Sequence, residues 1–130
     1  MFGTTTHGTE PLQRTRVSRL SDLKPEPTEW LWSLRIPCGE LTVVDGDPSV
    51  NKSSLMLDLA ARISTGREMP DNTPGTIGGV LLVLGEDSIR KTVLQRLLAA
   101  GADLNRVAVP GRPILIPHDL QILEEAVAEI

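Results

Sequence analysis

Aromatic side chains are nearly absent from this chain. Among its 130 residues only Phe2, Trp30 and Trp32 are aromatic, and there is no tyrosine. A core must therefore be built from Leu, Val, Ile and Ala. The single cysteine, Cys38, excludes an internal disulfide and suits a reducing compartment. His7 and His118 are isolated, and nothing around Cys38 has metal-ligand spacing. No structural metal and no Ser-His-Asp arrangement is expected. No apolar run reaches the roughly 18 residues of a membrane span, and the N-terminus lacks an apolar signal segment. The expectation is a soluble, cytoplasmic protein without membrane contact. A net charge of −4 argues against strong DNA binding by this chain alone.

What is present is globular: 40% hydrophobic and 23% charged, in a length that suits one domain or part of one. Residues 1–24 are polar and without period, with Arg14, Arg16 and Arg19, and read as a flexible tail. Residues 25–130 form the domain. The lead-in PEPTEWLWSLRIPCGE carries Trp30 and Trp32 on one side of an extended segment, where they are expected to cover the core edge.

The chain is organised around LTVVDGDPSVNKSSLMLDLAA, residues 41–61. It reads as a buried strand, a glycine-led loop and an apolar helix opening on Lys52 and Ser53. Gly46, Lys52 and Ser53 have the spacing of the phosphate-binding pattern G-x-x-x-x-G-K-[ST]. The glycine before the lysine is replaced by Asn51. That glycine supplies a backbone with φ above zero, and Asn is among the few other residues that adopt it. The loop is expected to form but to bind less well. Lys52 also falls on the first helical turn, where the macrodipole disfavours a cation unless an anion lies nearby. The plainer alternative is a turn at Gly46-Asp47-Pro48 and a solvated helix start.

Further elements follow in alternation. A strand is expected over about 40–45 and a helix over 52–65, apolar nearly all round and ended by Gly66. VLLVL, 80–84, is an unbroken apolar run of strand length, as in a parallel sheet covered on both faces. A helix over 88–100 ends at Gly101. Short strands are expected near 106–109 and 114–116, then a helix from His118 or Asp119 to Ile130 with an inward face of Leu120, Ile122, Leu123, Ala126 and Val127. This is β–α–β–α–β–α, a three-layer α/β domain with a mainly parallel sheet. Strand 40–45 and VLLVL are expected to lie parallel in it.

Glu86 and Asp87 follow the apolar strand. At the carboxyl edge of a parallel sheet Glu86 would face the loop mouth and position a water. Equally, Asp87 caps the next helix and Glu86 is its acidic approach.

WLWSLRIPCGELTVVDGDPSVNKSSLMLDLAARISTGREMP, then GGVLLVLGED and LLAAGADLNRV, resembles the front half of a RecA-like AAA-family ATPase of the RepA-like plasmid and phage replication type. The resemblance implies ATP and Mg²⁺. It implies a nucleotide loop of Gly46, Asp47, Pro48, Ser49, Val50, Asn51, Lys52, Ser53 and Ser54. Lys52 would meet the β- and γ-phosphates, Ser53 the magnesium, and Glu86 the attacking water. Family loops have glycines where this chain has Ser49 and Asn51. The resemblance also implies that the Walker B strand would begin just after Ile130, and that the arginine finger and DNA-contacting loops would lie further on. Three functions follow. One is an ATP-binding domain of a replication-associated helicase, weak or inactive alone. The second is a non-enzymatic truncated remnant associating with itself or a full-length relative. The third, ranked lowest, is a small P-loop kinase.

Overall fold

The segment KSSLMLDLAARIST has neither proline nor glycine, and in the computed structural model it is helical over Lys52–Thr65 (α1). The structure describes residues 17–85 and 89–130. Gly66 ends α1 as expected, at φ 71°, its N–H directed to the Arg62 and Ile63 carbonyls. Ile77 lies 3.1 Å from where a Cβ on Gly66 would sit, so the turn needs glycine for space as well as for φ.

Leu57, Leu59, Ala60, Ala61 and Ser64 bury one side of α1, while Leu55 and Met56 remain exposed. The helix is thus covered on fewer sides than its composition suggests. Its core partner is a helical segment in two parts, a π-type turn Ile89–Val93 and the α-helical Leu94–Ala99 (α2). The expected single α-helix is therefore irregular at its start, and Ser88 lies outside the described residues. Leu57 and Ala60 meet Val93 and Leu97, with Val80, Leu82, Leu84 and Val107 packed against them.

Before α1, Trp30–Trp32 (β1) pairs antiparallel with Ile36–Pro37 (β2) in a short hairpin. After it, Val80–Leu81 (β3) pairs parallel with Val107–Ala108 (β4), and Leu82 N–H extends the ladder to the Ala108 carbonyl at 2.9 Å. The order is β–β–α–β–α–β–α, closing with Leu120–Ala128 (α3).

Several expectations are corrected. Residues 40–45 form no ladder and no regular element, with Leu41 90% and Val43 79% exposed. The partner of VLLVL is therefore β4, not this segment. A strand needs a neighbour for its N–H and C=O groups, and no strand among the described residues pairs with 40–45. The hydroxyl of Thr42 is buried there without a hydrogen-bond partner. VLLVL is covered on one face only, its Val83 being 49% exposed. Residues 114–116 form no strand. Asp119 holds the N-cap place of α3, but its carboxylate is taken by Arg112 at 2.8 Å and by the Leu115 N–H at 2.8 Å. None of α3 is buried, although Leu123 and Ala126 are half-covered.

The tryptophans also differ from expectation. Leu31 and Ile36, rather than a tryptophan pair, line the groove beside Thr42, Val44 and Met56. The Trp32 indole N–H instead donates to Asp71 at 3.0 Å, and Arg35 stacks over its ring at 4.9 Å while pairing with Asp71 at 2.8 Å. The Thr73 hydroxyl completes this clasp at 2.7 Å. Hydrogen bonds from Thr73, then from Trp32, together with the Arg35 charge, hold the Asp71 carboxyl below its ordinary value. No described helix is long and apolar enough to cross a membrane.

Candidate phosphate-binding loop

The residue that breaks the phosphate-loop pattern adopts the conformation the pattern requires. Asn51 has φ 59° and ψ 31°, the left-handed region, as the N-cap residue of α1. Ser49 is left-handed too, at φ 77°. The positions expected to be glycine are thus glycine-like in backbone but carry side chains. Each L-residue in this region costs roughly 1–2 kcal/mol, less for Asn, so the loop stores strain at Ser49 above all.

The rest of the loop follows from that turn. Asp47 accepts from Val50 N–H at 3.4 Å, and Asp45 Oδ1 from Gly46 N–H at 2.8 Å. The Lys52 ammonium folds back to donate to the Gly46 and Asp47 carbonyls, the latter at 2.9 Å. A Cβ on Gly46 would come within 3.1 Å of the Val50 side chain, so Gly46 is fixed by close approach rather than by φ. Helix α1 starts at Lys52, after Pro48, with Leu55 N–H closing on the Asn51 carbonyl at 3.1 Å.

A cavity of about 340 Å³ opens above the helix start, lined by 48–54 and by Arg96 from α2. Pro48, Ser49, Val50, Asn51, Lys52, Ser53 and Ser54 are thus brought together, while Gly46 and Asp47 hold the lysine. First-turn N–H groups have no acceptor inside the helix and carry its positive end. Such a site suits an anion with several oxygens.

A second cavity, of about 410 Å³, is shared by Lys52, Ser53, Val44 and Met56 with the carboxyl end of VLLVL, Leu81–Leu84. The strand end and the loop therefore face one space. Glu86 and Asp87 themselves lie outside the described residues. No group of three or more His, Cys, Asp or Glu able to hold a metal occurs among the described residues. The one magnesium ligand expected of the chain is the Ser53 hydroxyl, which would act with the nucleotide's own oxygens.

Sequence reading missed Arg96, whose approach depends on how α2 packs on α1. No local pattern announces it. It missed the Asp71 clasp for the same reason, since Trp32 and Asp71 are far apart in sequence.

The model of the AAA domain family matches residues 6–129. This chain belongs to the AAA domain family. The DNA repair protein RadA of Bacillus subtilis (strain 168) is 28% identical over 92 residues, which are 71% of this chain and 17% of that protein. RadA of Halalkalibacterium halodurans gives the same identity and shares. The chain therefore spans about a sixth of the length of these relatives. No solved structure matches. Family membership supports the RecA-like AAA reading and with it a P-loop NTPase fold, a family whose members use nucleotide.

Proposed function

We propose that the chain is an ATP-binding domain of a RepA-like, replication-associated ATPase, binding ATP with Mg²⁺ and hydrolysing it poorly alone. One observation carries this reading: left-handed Ser49 and Asn51 turn the loop onto the head of α1 beside Lys52. Leu34 and Asn72 are left-handed too, but singly and away from a helix head; two such residues within three positions, next to Lys52, are the kind of strained turn that clusters at ligand clamps. Lys52 exchanges its two loop carbonyls for β- and γ-phosphate oxygens, and Ser53 supplies a magnesium ligand. Glu86, which follows Leu84 by two residues in the sequence, would position the attacking water.

The similarity to RadA, a protein named for DNA repair, fits an ATPase that works with DNA. The three-layer sheet of the resemblance would include a further strand. That strand would supply the magnesium-supporting aspartate. Assembly with a longer relative, in the cytoplasm, would supply an arginine finger, worth ~10³–10⁵ in rate in related enzymes. The isolated chain is therefore expected to bind ATP weakly and turn it over little.

The test is calorimetric titration with Mg-ATP, alongside a phosphate-release assay. Lys52→Ala should weaken binding about tenfold or more, because charge-assisted hydrogen bonds are lost. Asn51→Gly should tighten binding without restoring turnover. Helicase-like hydrolysis by the isolated chain, abolished by Lys52→Ala, would overturn the weak-alone reading. Binding indifferent to Lys52→Ala would overturn the site.

A further inference from the structure

We infer that Arg96 is a second cationic contact for the nucleotide's phosphate chain, entering the cavity from the helix beside the loop. The inference rests on the nucleotide-binding reading above and extends it to a residue outside the motif.

Every other lining residue of the 340 Å³ cavity belongs to the loop or the first turn of α1; Arg96 alone comes from elsewhere. Its approach is fixed by its neighbour. Leu97 is 4% exposed and packs with Val93 against Leu57 and Ala60, which sets the rotation of α2 on α1. Arg96, one residue earlier, is carried out of that core and over the helix start.

Arg35, Arg62, Arg106 and Arg112 each hold a carboxylate. Arg96, like Arg19 and Arg90, makes no side-chain hydrogen bond or ion pair among the described residues, but of these three it alone borders the cavity. Arg96 thus borders a space already made positive by Lys52 and the helix N-terminus. Three positive features around one cavity repel each other unless a polyanion joins them. Besides the two cations the lining holds three serines, Asn51, Pro48 and Val50, with no aromatic platform for a base. A planar guanidinium suits phosphate oxygens bidentately, where an ammonium acts as a point charge.

The experiment is titration of the purified chain with Mg-ATP, Mg-ADP and inorganic tripolyphosphate, comparing wild type, Arg96→Ala, Arg96→Gln, Arg96→Lys and Lys52→Ala. Far-UV circular dichroism checks that each variant is folded. Arg96→Ala and Arg96→Gln should each weaken ATP and tripolyphosphate about tenfold, with ADP affected less, and Arg96→Lys should recover part of the loss. Wild-type affinity in both neutral variants, with Lys52→Ala still defective, would overturn the role of Arg96 and leave the loop reading intact. A loss for ATP with none for tripolyphosphate would also overturn it, placing Arg96 on the nucleoside instead. No saturable binding by wild type would overturn both readings.

Discussion

Two neighbouring apolar stretches of this molecule, residues 41–44 and the middle of α1, end in opposite environments. Leu57, Leu59 and Ala60 are nearly inaccessible, while Leu41 and Val43 stand in solvent. Their hydrophobicity is similar, so burial follows from the backbone. A helix satisfies its own N–H and C=O groups and then needs only a face to pack on, which α2 and β3 provide. A strand must borrow a ladder from a neighbour, and residues 41–44 have none. The loop between them joins an organised half to an unpartnered one. The phosphate-loop turn is accordingly built from the helix side: its left-handed residues adjoin α1, and Lys52 reaches back to Gly46 and Asp47.

The sharpest test of that contrast is paired truncation. Leu97→Ala, in the α1–α2 core, should cost about 2–5 kcal/mol in urea unfolding. Leu41→Ala should stay within about 0.5 kcal/mol, as for an exposed surface site. Equal costs would mean that 41–44 is packed in solution, as it would be in an assembly, and the contrast would fail.

The same division governs what could be read from the amino acids. Helix α1, its glycine stop and the left-handed turn at Asn51 were legible because they are local: spacing, capping and one residue's φ preference decide them. The α/β class and a parallel setting for VLLVL were legible from its composition and following helix, but its partner was not: 107–108, rather than 40–45, pairs with it. What failed depends on partners distant in sequence. Residues 40–45 have strand composition but no ladder, and the inward stripe of α3 is only half-covered, at Leu123 and Ala126. Trp32 was drawn to Asp71 by a carboxylate that no pattern near the tryptophan reveals.

A middle-sized effect probes the C-terminal end of α1. Gly66→Ala places a Cβ in a left-handed residue and within 3.1 Å of Ile77. The expected loss is about 1–2 kcal/mol in thermal or urea unfolding, with little change at the phosphate loop. A neutral result would mean that the 66–78 turn relaxes freely and that α1 does not depend on its cap.

At the other end of α1, Ser49→Gly should be mildly stabilising. Relief of a left-handed L-residue returns roughly 1–2 kcal/mol, and the freedom glycine gains in the unfolded chain takes back about 0.5–1 kcal/mol. A net gain of about 0.5 kcal/mol is expected, read as a raised urea midpoint at unchanged slope. Destabilisation instead would mean that the Ser49 hydroxyl holds the loop, and that its φ is not a strain.

The smallest effect belongs to the clasp that ties β1 and β2 to the 67–79 loop. Asp71 accepts from Thr73, Trp32 and Arg35, and those contacts hold its carboxyl below the ordinary 3.8. A depressed folded pKa gives stability that is present above the ordinary value and lost as pH falls through the folded one. The clasp should therefore be intact at neutral pH and loosen below about pH 4. Because the site is open to solvent, the change should be local, seen in Trp32 rather than in global unfolding. Tryptophan emission should shift to the red as acid breaks the indole-to-carboxylate bond. Asp71→Asn keeps an acceptor for Trp32 but removes the titrating charge and weakens the hold on Arg35. In that variant the emission should be flat over the same pH range. A red shift of equal size in Asp71→Asn would assign the transition to other carboxylates or to Trp30, and the clasp would not be the pH-sensitive joint of the hairpin.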